Sequence, residues 1–531
     1  MAPRIFYRLS SHTEGADTMD NEPRGHQAEK PLPHRSGPQA EHGTRQDRVP
    51  ETVYSFEIPP EPIPATKIKE TITAEVVVVG GHLAGMSAAL AATEAGARTV
   101  LIEKTNSFQS PGGQIAAIGS RLQKKLGVEI DRDEVVLNLM KYGANKPDQR
   151  LLRMWANDGG ASMDWLMDMT DAAGLPVSLQ YCPPLVTFDN TREYYPQYLA
   201  THDYGMGNKI VPCLQDNAQK KGALIFPRTR ARQLLRPNKG RVTGVIAQDA
   251  DDRYLQFNAS KAVVLCTGDY GHNAEMVAKY CPQVAYLPSA MPTSTGDGHQ
   301  MAMWVGAVME PGPHAPMSHA FASDIGNYAF LQVNIRGERF QNEDVPGQSY
   351  TNAWERQPGK TAWTVFDAKY REEATRFGIG HGKNPLTDDA IKQAEPYLLS
   401  ADTIDELGAK MGMPAPKLKA TIARYNELAR LGKDLDFGKR PDRLTTIEKP
   451  PFYASKGRYA LLAVMGGLNV NPQLVALDKD WEPIPGLYLA GNTMGNRFAV
   501  DYPTMLPGIS LGMALHFGRV AGRNAATMEP A

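Results

Sequence analysis

Gly80, Gly85 and Glu103 have the types and spacing to hold a dinucleotide. Gly80 ends the apolar run Val76-Val-Val-Val79 and permits a tight turn, which aims the first amides of the following helix, at Leu83 and Ala84, at a pyrophosphate. Gly85 lets that helix pack close to the preceding strand. Glu103 closes a second apolar run, Thr99-Val-Leu-Ile102, about twenty residues after the turn, where a carboxylate accepts hydrogen bonds from an adenosine ribose. His82 stands where the G-x-G-x-x-G pattern has its middle glycine, the point of closest approach between backbone and phosphate. The phosphate geometry therefore departs from the usual pattern, while strand, turn, helix, strand and acid all remain.

Those residues require a βαβ unit, and the same patterning returns in two later pieces. Gly240-Arg-Val-Thr-Gly-Val-Ile-Ala247 and Lys261-Ala-Val-Val-Leu-Cys-Thr-Gly268 read as two strands, the second ending in a glycine turn. Pro485-Gly-Leu-Tyr-Leu-Ala-Gly491-Asn reads as a buried strand, and Gly508 to Gly522 as a helix beginning just after Pro507. Between about 303 and 445 the segments are polar, aromatic and helical, without parallel-strand runs. The expectation is an α/β chain with an extended, disordered arm over 1–70 and a discontinuous nucleotide-binding domain over 71–302 and 446–531, interrupted by a cap over 303–445.

Composition narrows the partners. The 531 residues carry 57 Lys and Arg against 58 Asp and Glu, so no net field draws in nucleic acid or an anionic membrane. Cys182, Cys213, Cys266 and Cys281 form no C-x-x-C pair, which argues against a cluster, attached haem, zinc knuckle or disulfide framework and suits a reducing cytoplasm. No apolar run approaches the roughly 20 residues of a membrane span. The first 50 residues are rich in proline and hold four histidines without a recurring ligand spacing, so a solvated tail is expected there and no metal site.

Several blocks in order resemble the fumarate reductase and succinate dehydrogenase flavoprotein family. They are Glu103-Lys104, Gly112-Gly113-Gln114, Cys266-Thr267-Gly268-Asp, Thr295-Gly-Asp297-Gly, Arg336-Gly-Glu-Arg-Phe-Gln-Asn-Glu343, Met465-Gly-Gly-Leu and Pro485 to Asn492. The resemblance spans about 75–528. It implies FAD in a two-part Rossmann-like domain with a mobile α+β cap, held by the residues of these blocks together with Gly80, Leu83, Ala84, Gly85, Gly491, Asn492, Ser510 and Leu511. Reduction of an isoalloxazine gathers negative charge at N1 and O2, and the helix starting at Gly508 can face it with a positive dipole end. Covalent members of the family carry a histidine that Thr105-Asn-Ser-Phe-Gln-Ser-Pro111 lacks, so the FAD is expected to be noncovalent.

The substrate side departs from the fumarate reductases. No arginine follows Asn342-Glu343 before Arg356, Leu461-Leu-Ala-Val464 replaces the histidine before Met-Gly-Gly, and Arg497 precedes the place of the carboxylate-clamping arginine. A buried carboxylate without a cation costs several kcal/mol, so a neutral ligand is expected. Tyr502-Pro-Thr-Met-Leu-Pro-Gly508 instead resembles the turn of the ketosteroid dehydrogenases, in which a tyrosine hydroxyl and a glycine amide hold a ketone oxygen. Tyr502 and Gly508 are the candidate oxyanion donors. The proton donor or acceptor is expected from the cap, among His314, His319, Tyr328 and Tyr350, with Tyr350 preferred because it sits in the loop replacing the arginine segment. The expected activity is hydride exchange across a C–C bond beside a carbonyl of a neutral 3-oxosteroid or other conjugated enone, with an external electron donor or acceptor. The alternatives are a fumarate-type dicarboxylate reductase and a flavoprotein subunit without substrate chemistry of its own.

Overall fold

Four consecutive valines, Val76–Val79, have no polar face to offer water, and each is at most 4% exposed. They end strand β1 (Ile68–Val79), which lies between two parallel neighbours, the arrangement such a run requires. On one side it pairs with β2 (Thr99–Ile102), Val76 opposite Thr99. Beyond β2 runs β3 (Leu224–Phe226), also parallel. A meander of β4 (Arg230–Leu235), β5 (Gly244–Gln248) and β6 (Tyr254–Leu265) returns the chain to the other side of β1, where Val79 meets Leu265.

The computed structural model describes residues 52–108, 112–179, 185–186, 193–194, 207–320, 328–345, 350–377, 388–503, 506 and 508–529, without the side chains of 185, 186, 193, 194, 207, 208, 319, 320, 350, 375–377, 389 and 390. The expected disorder of residues 1–51 concerns a segment outside this description. The body begins earlier than the expected boundary at 70, because Phe56 is only 3% exposed and its carbonyl accepts the Trp304 indole N–H at 2.9 Å. An aromatic side chain with a place in the core holds the segment around it.

Helix α1 (Leu83–Glu94) follows the Gly80 turn and is buried on all sides through Ala92. Its partner is the C-terminal helix. A Cβ on Gly518 or Gly522 would lie 2.3 Å from the Ala84 carbonyl or 2.1 Å from that of Ala88, so the two helices meet backbone to backbone. Helix α2 (Gln149–Ala172) packs on the same layer through Leu152, Trp155, Met163 and Leu166, all fully buried.

The cap is built on an antiparallel sheet. β7 (Pro316–Ala320) leads into it, and its strands are β8 (Leu331–Val333), β9 (Trp363–Phe366), β10 (Leu398–Ala401) and β11 (Phe452–Lys456), in the spatial order β8-β9-β11-β10. Leu331, Val365, Leu407, Leu418 and Tyr425 form a core of its own beneath the helix Ile404–Met411 and helix α3 (Ala415–Leu431). β11 belongs to this sheet, so the cap extends beyond residue 445, where sequence patterning had returned the chain to the nucleotide domain. β12 (Tyr459–Val464) pairs antiparallel with β7. β13 (Val475–Leu477) and β14 (Pro483–Leu489) then complete an eight-stranded sheet, β14 running parallel beside β6. Among the described residues no helix is long and apolar enough to cross a membrane.

Candidate functional site

The carboxyl ends of β1, β2, β6 and β14 open into one groove. Ligands of open parallel sheets bind at such an edge. Gly80 has φ +105, and a Cβ there would lie 2.3 Å from the Cys266 carbonyl, while one on Gly85 would lie 1.8 Å from the Gly80 carbonyl. Both glycines are therefore dictated by close backbone approach. Gly80 lines the groove, and Gly85 supports it from behind. Leu83 and Ala84, at the N-terminus of α1, line the groove next to them.

Glu103 also lines it, and its carboxylate is already held in place. Oε2 accepts the Gly81 amide at 2.7 Å, and Oε1 accepts both the amide and the hydroxyl of Thr105 at 2.8 Å. Oε1 is filled by Thr105, and Oε2 keeps lone-pair capacity for a ribose hydroxyl. Lys104 and Asp297 face one another across the groove wall, with Nζ donating to Asp297 Oδ2 at 3.1 Å and to Thr295 Oγ1 at 2.8 Å. Arg230 grips the same carboxylate at 2.8 and 3.1 Å. Burial works to raise the Asp297 carboxyl, but Arg230 and Lys104 outweigh it and hold it below the usual carboxylate range. Arg230 escaped the sequence reading because it belongs to no glycine block. Its only signal would have been a cation opening the strand that follows β3.

The groove is also lined by Thr267, Gly268, Gly491, Asn492, Ser510 and Leu511. Helix α4 (Ile509–Thr527) starts here, capped by Gly508 in the left-handed conformation at φ +79. The Gly508 carbonyl accepts the Ala116 amide at 3.0 Å, tying the segment after Gly112, Gly113 and Gln114 to the helix start. A Cβ on Gly112 would touch Leu511 at 3.3 Å, so this block supports the groove without lining it. The Tyr502 hydroxyl accepts the Ser510 amide at 3.2 Å, beside the helix end that the sequence had assigned to the flavin. Burial raises the phenol well above its ordinary range.

Arg497 is fully buried behind this end. Nε donates to the Met494 carbonyl and Nη2 to Asn492 Oδ1, both at 3.2 Å. Nη1 has no hydrogen-bond partner among the described residues. Burial lowers the guanidinium to about 10 and raises the nearby Glu310 carboxyl to about 7, although the Gly467 and Asn496 amides donate to that carboxyl at 3.0 and 2.7 Å. His314 is a core histidine. Nδ1 meets the Tyr270 hydroxyl at 2.5 Å, Nε2 meets the Glu310 carbonyl at 3.0 Å, and the ring stacks on Tyr280. Tyr328 packs against Phe330 in the cap. The side chains of His319 and Tyr350 lie outside the described residues. Their backbones place His319 on β7 opposite Ala460 and Tyr350 at the start of the helix Tyr350–Trp354.

A carboxylate the sequence reading passed over stands where that cap helix meets the C-terminal loop. Asp501 Oδ2 accepts from Asn352 Nδ2 at 3.1 Å and Oδ1 from the Tyr502 amide at 2.8 Å. Burial pushes this acid up to about 6. It follows Val500, a β-branched residue at φ +67, around which the Asp501 amide donates to the Ala499 carbonyl at 2.7 Å. Such a turn is strained, and strain of this kind concentrates at functional loops.

Residues 75–511 match the FAD binding domain family. The chain belongs to that family. The groove fits the cofactor: the Gly80–Gly81 turn leads into the N-terminus of α1, a carboxylate stands at the end of β2, and the start of a second helix lines the same groove. This flavoprotein is 29% identical to the vinyl phenol reductase of Lactiplantibacillus plantarum, over 85% of this chain and 96% of that one. It is 30% identical to the fumarate reductase (cytochrome) of Shewanella frigidimarina, over 86% of this chain and 77% of that one. Its fold matches a 3-ketosteroid-Δ4-(5α)-dehydrogenase from Rhodococcus jostii RHA1 with a TM-score of 0.69 at 24% identity, covering 88% of this chain and all of the other. The flavoprotein is thus an FAD-dependent oxidoreductase acting on CH–CH bonds, as its relatives are.

Proposed function

We propose that this enzyme exchanges hydrogen across a C=C bond conjugated to a neutral polar group, such as an enone carbonyl or a phenol, and does not act on a dicarboxylate. Bound FAD supplies the hydride exchange at the β-carbon. The observation that carries the reading is the charge around the substrate side. Arg497, the candidate carboxylate clamp, is fully buried and turned toward Met494 and Asn492. Asp501 holds the junction of cap and C-terminal loop instead. A second carboxylate brought beside it would meet like charge and lose hydration without a compensating cation. Tyr502 would donate its hydroxyl proton to the substrate oxygen while the Ser510 amide holds the phenol in place, stabilising charge that develops on that oxygen. Gly508 would add to this through the start of α4. Vinyl phenol and 3-oxosteroid substrates of the related enzymes have this neutral, conjugated character.

The test is anaerobic reoxidation of the dithionite-reduced protein, followed by flavin absorbance, with 4-vinylphenol, 2-cyclohexenone, a 3-oxo-4-ene steroid and fumarate. A neutral acceptor should reoxidise the flavin at least tenfold faster than fumarate at equal concentration. Preference for fumarate would assign the dicarboxylate chemistry, and no reoxidation by any of the four would favour a flavoprotein that exchanges electrons only with a partner.

A further inference from the structure

His82 is the one position in the glycine turn where the sequence breaks the dinucleotide pattern, and its geometry shows that glycine is not required there. Its φ of −85° and ψ of −166° are open to any residue. It is the N-cap of α1, a twelve-residue helix, yet its side chain makes no capping hydrogen bond. His82 lines the groove beside Leu83 and Ala84. It makes no hydrogen bond to any described residue, although Glu103 and Lys104 act on it electrostatically. A polar ring left without a partner at the positive end of a helix is suited to an anion.

We propose that the His82 imidazole is a ligand of the FAD pyrophosphate, donating a ring N–H to a phosphate oxygen. It supplies from a side chain what the middle glycine of a G-x-G-x-x-G turn gives by close backbone approach. Burial lowers the imidazole below its ordinary value, with Glu103 raising it and Lys104 lowering it. The ring is therefore neutral at pH 7 and offers a single N–H. An adjacent pyrophosphate favours the charged ring, so FAD binding takes up a proton as pH falls. The added affinity is present at low pH and is lost as pH rises through the value the ring has in the complex.

The experiment measures FAD dissociation constants by flavin fluorescence quenching, on apoprotein of the wild type and of His82→Gly, His82→Ala and His82→Asn, between pH 5.5 and 8. ADP and adenosine serve as competitors. Gly and Ala variants should bind FAD about tenfold more weakly or worse at pH 6, with ADP affinity falling in parallel and adenosine affinity unchanged. His82→Asn retains an N–H donor and should stay within about threefold of wild type at pH 8. It also keeps the charged neighbours Glu103, Lys104, Arg230 and Asp297, so it reports their background pH dependence, and the wild-type trend should exceed it.

If His82→Gly binds FAD as tightly as wild type, or more tightly, the ring only crowds the phosphate and the assignment fails. Equal losses for ADP and adenosine would move the contact to the nucleoside and overturn it as well. Should Gly or Ala at this position prevent folding, the Asn variant and its missing pH trend decide the question.

Discussion

The hydroxyl of Tyr502 accepts from the Ser510 amide and so has its own proton left to donate. Tyr502→Phe should reduce turnover of a responsive enone roughly 100-fold or more, the usual consequence of deleting an oxyanion donor. It should also lower stability by about 1–3 kcal/mol, because the Ser510 amide loses a buried partner. Nothing in the Tyr-Pro turn of the sequence reveals that the phenol is already engaged with the Ser510 amide. A variant with wild-type turnover and a lowered melting temperature would make Tyr502 a packing residue. Arg497 was visible in the chain as a displaced arginine, but its inward orientation depends on Asn492 and Met494, which only the folded loop brings to it.

Within the cap, the block Arg336–Glu343 fastens the fold. Arg339 reaches Glu343 at 2.8 and 2.9 Å and Asp434 at 2.8 and 3.0 Å, and Lys439 stands 3.3 Å from Glu343. The two carboxylates and Lys439 are wholly enclosed. Arg339→Met leaves two buried carboxylates short of charge, a change that typically costs about 3–5 kcal/mol. The cap should then unfold at lower temperature and become the first site of protease cleavage, while the groove on the parallel sheet still retains FAD. Calorimetry with peptide mapping checks this; cleavage in the nucleotide domain first would place the cluster's role elsewhere. The motif was legible as a family block. Asp434 and Lys439 lie about ninety residues further on, and no local pattern announces them as partners.

Across the molecule, one cofactor groove is assembled from both ends of the chain. β1 and β2 come from the first part, β14 and α4 from the last, and their side chains share one apolar core. FAD spanning this groove should therefore couple the two parts, adding about 2.7 kcal/mol of stability at a free concentration 100 times its dissociation constant. With no histidine in Thr105–Pro111, heat or acid should release all of the flavin into a yellow supernatant with the mass of FAD. Flavin that sediments with the denatured chain would show a covalent bond.

The α/β fold with its βαβ start, the cofactor class and the close backbone approach at Gly80 and Gly85 could all be read from the chain. Each rests on local periodicity or on a backbone contact between residues close in sequence, such as the Gly85 position against the Gly80 carbonyl. The partners of Asp297, the burial of Arg497 and the placement of Asp501 against Asn352 could not be read. The Asp297 partners and the Asp501 contact join segments far apart in the chain, and the burial of Arg497 depends on what packs over it in the folded molecule. Charge and burial act through space, so their outcome follows from tertiary neighbours and leaves no spacing in the sequence. The extension of the cap sheet through Phe452–Lys456 has the same origin, because a five-residue strand acquires its sheet from the partner it finds.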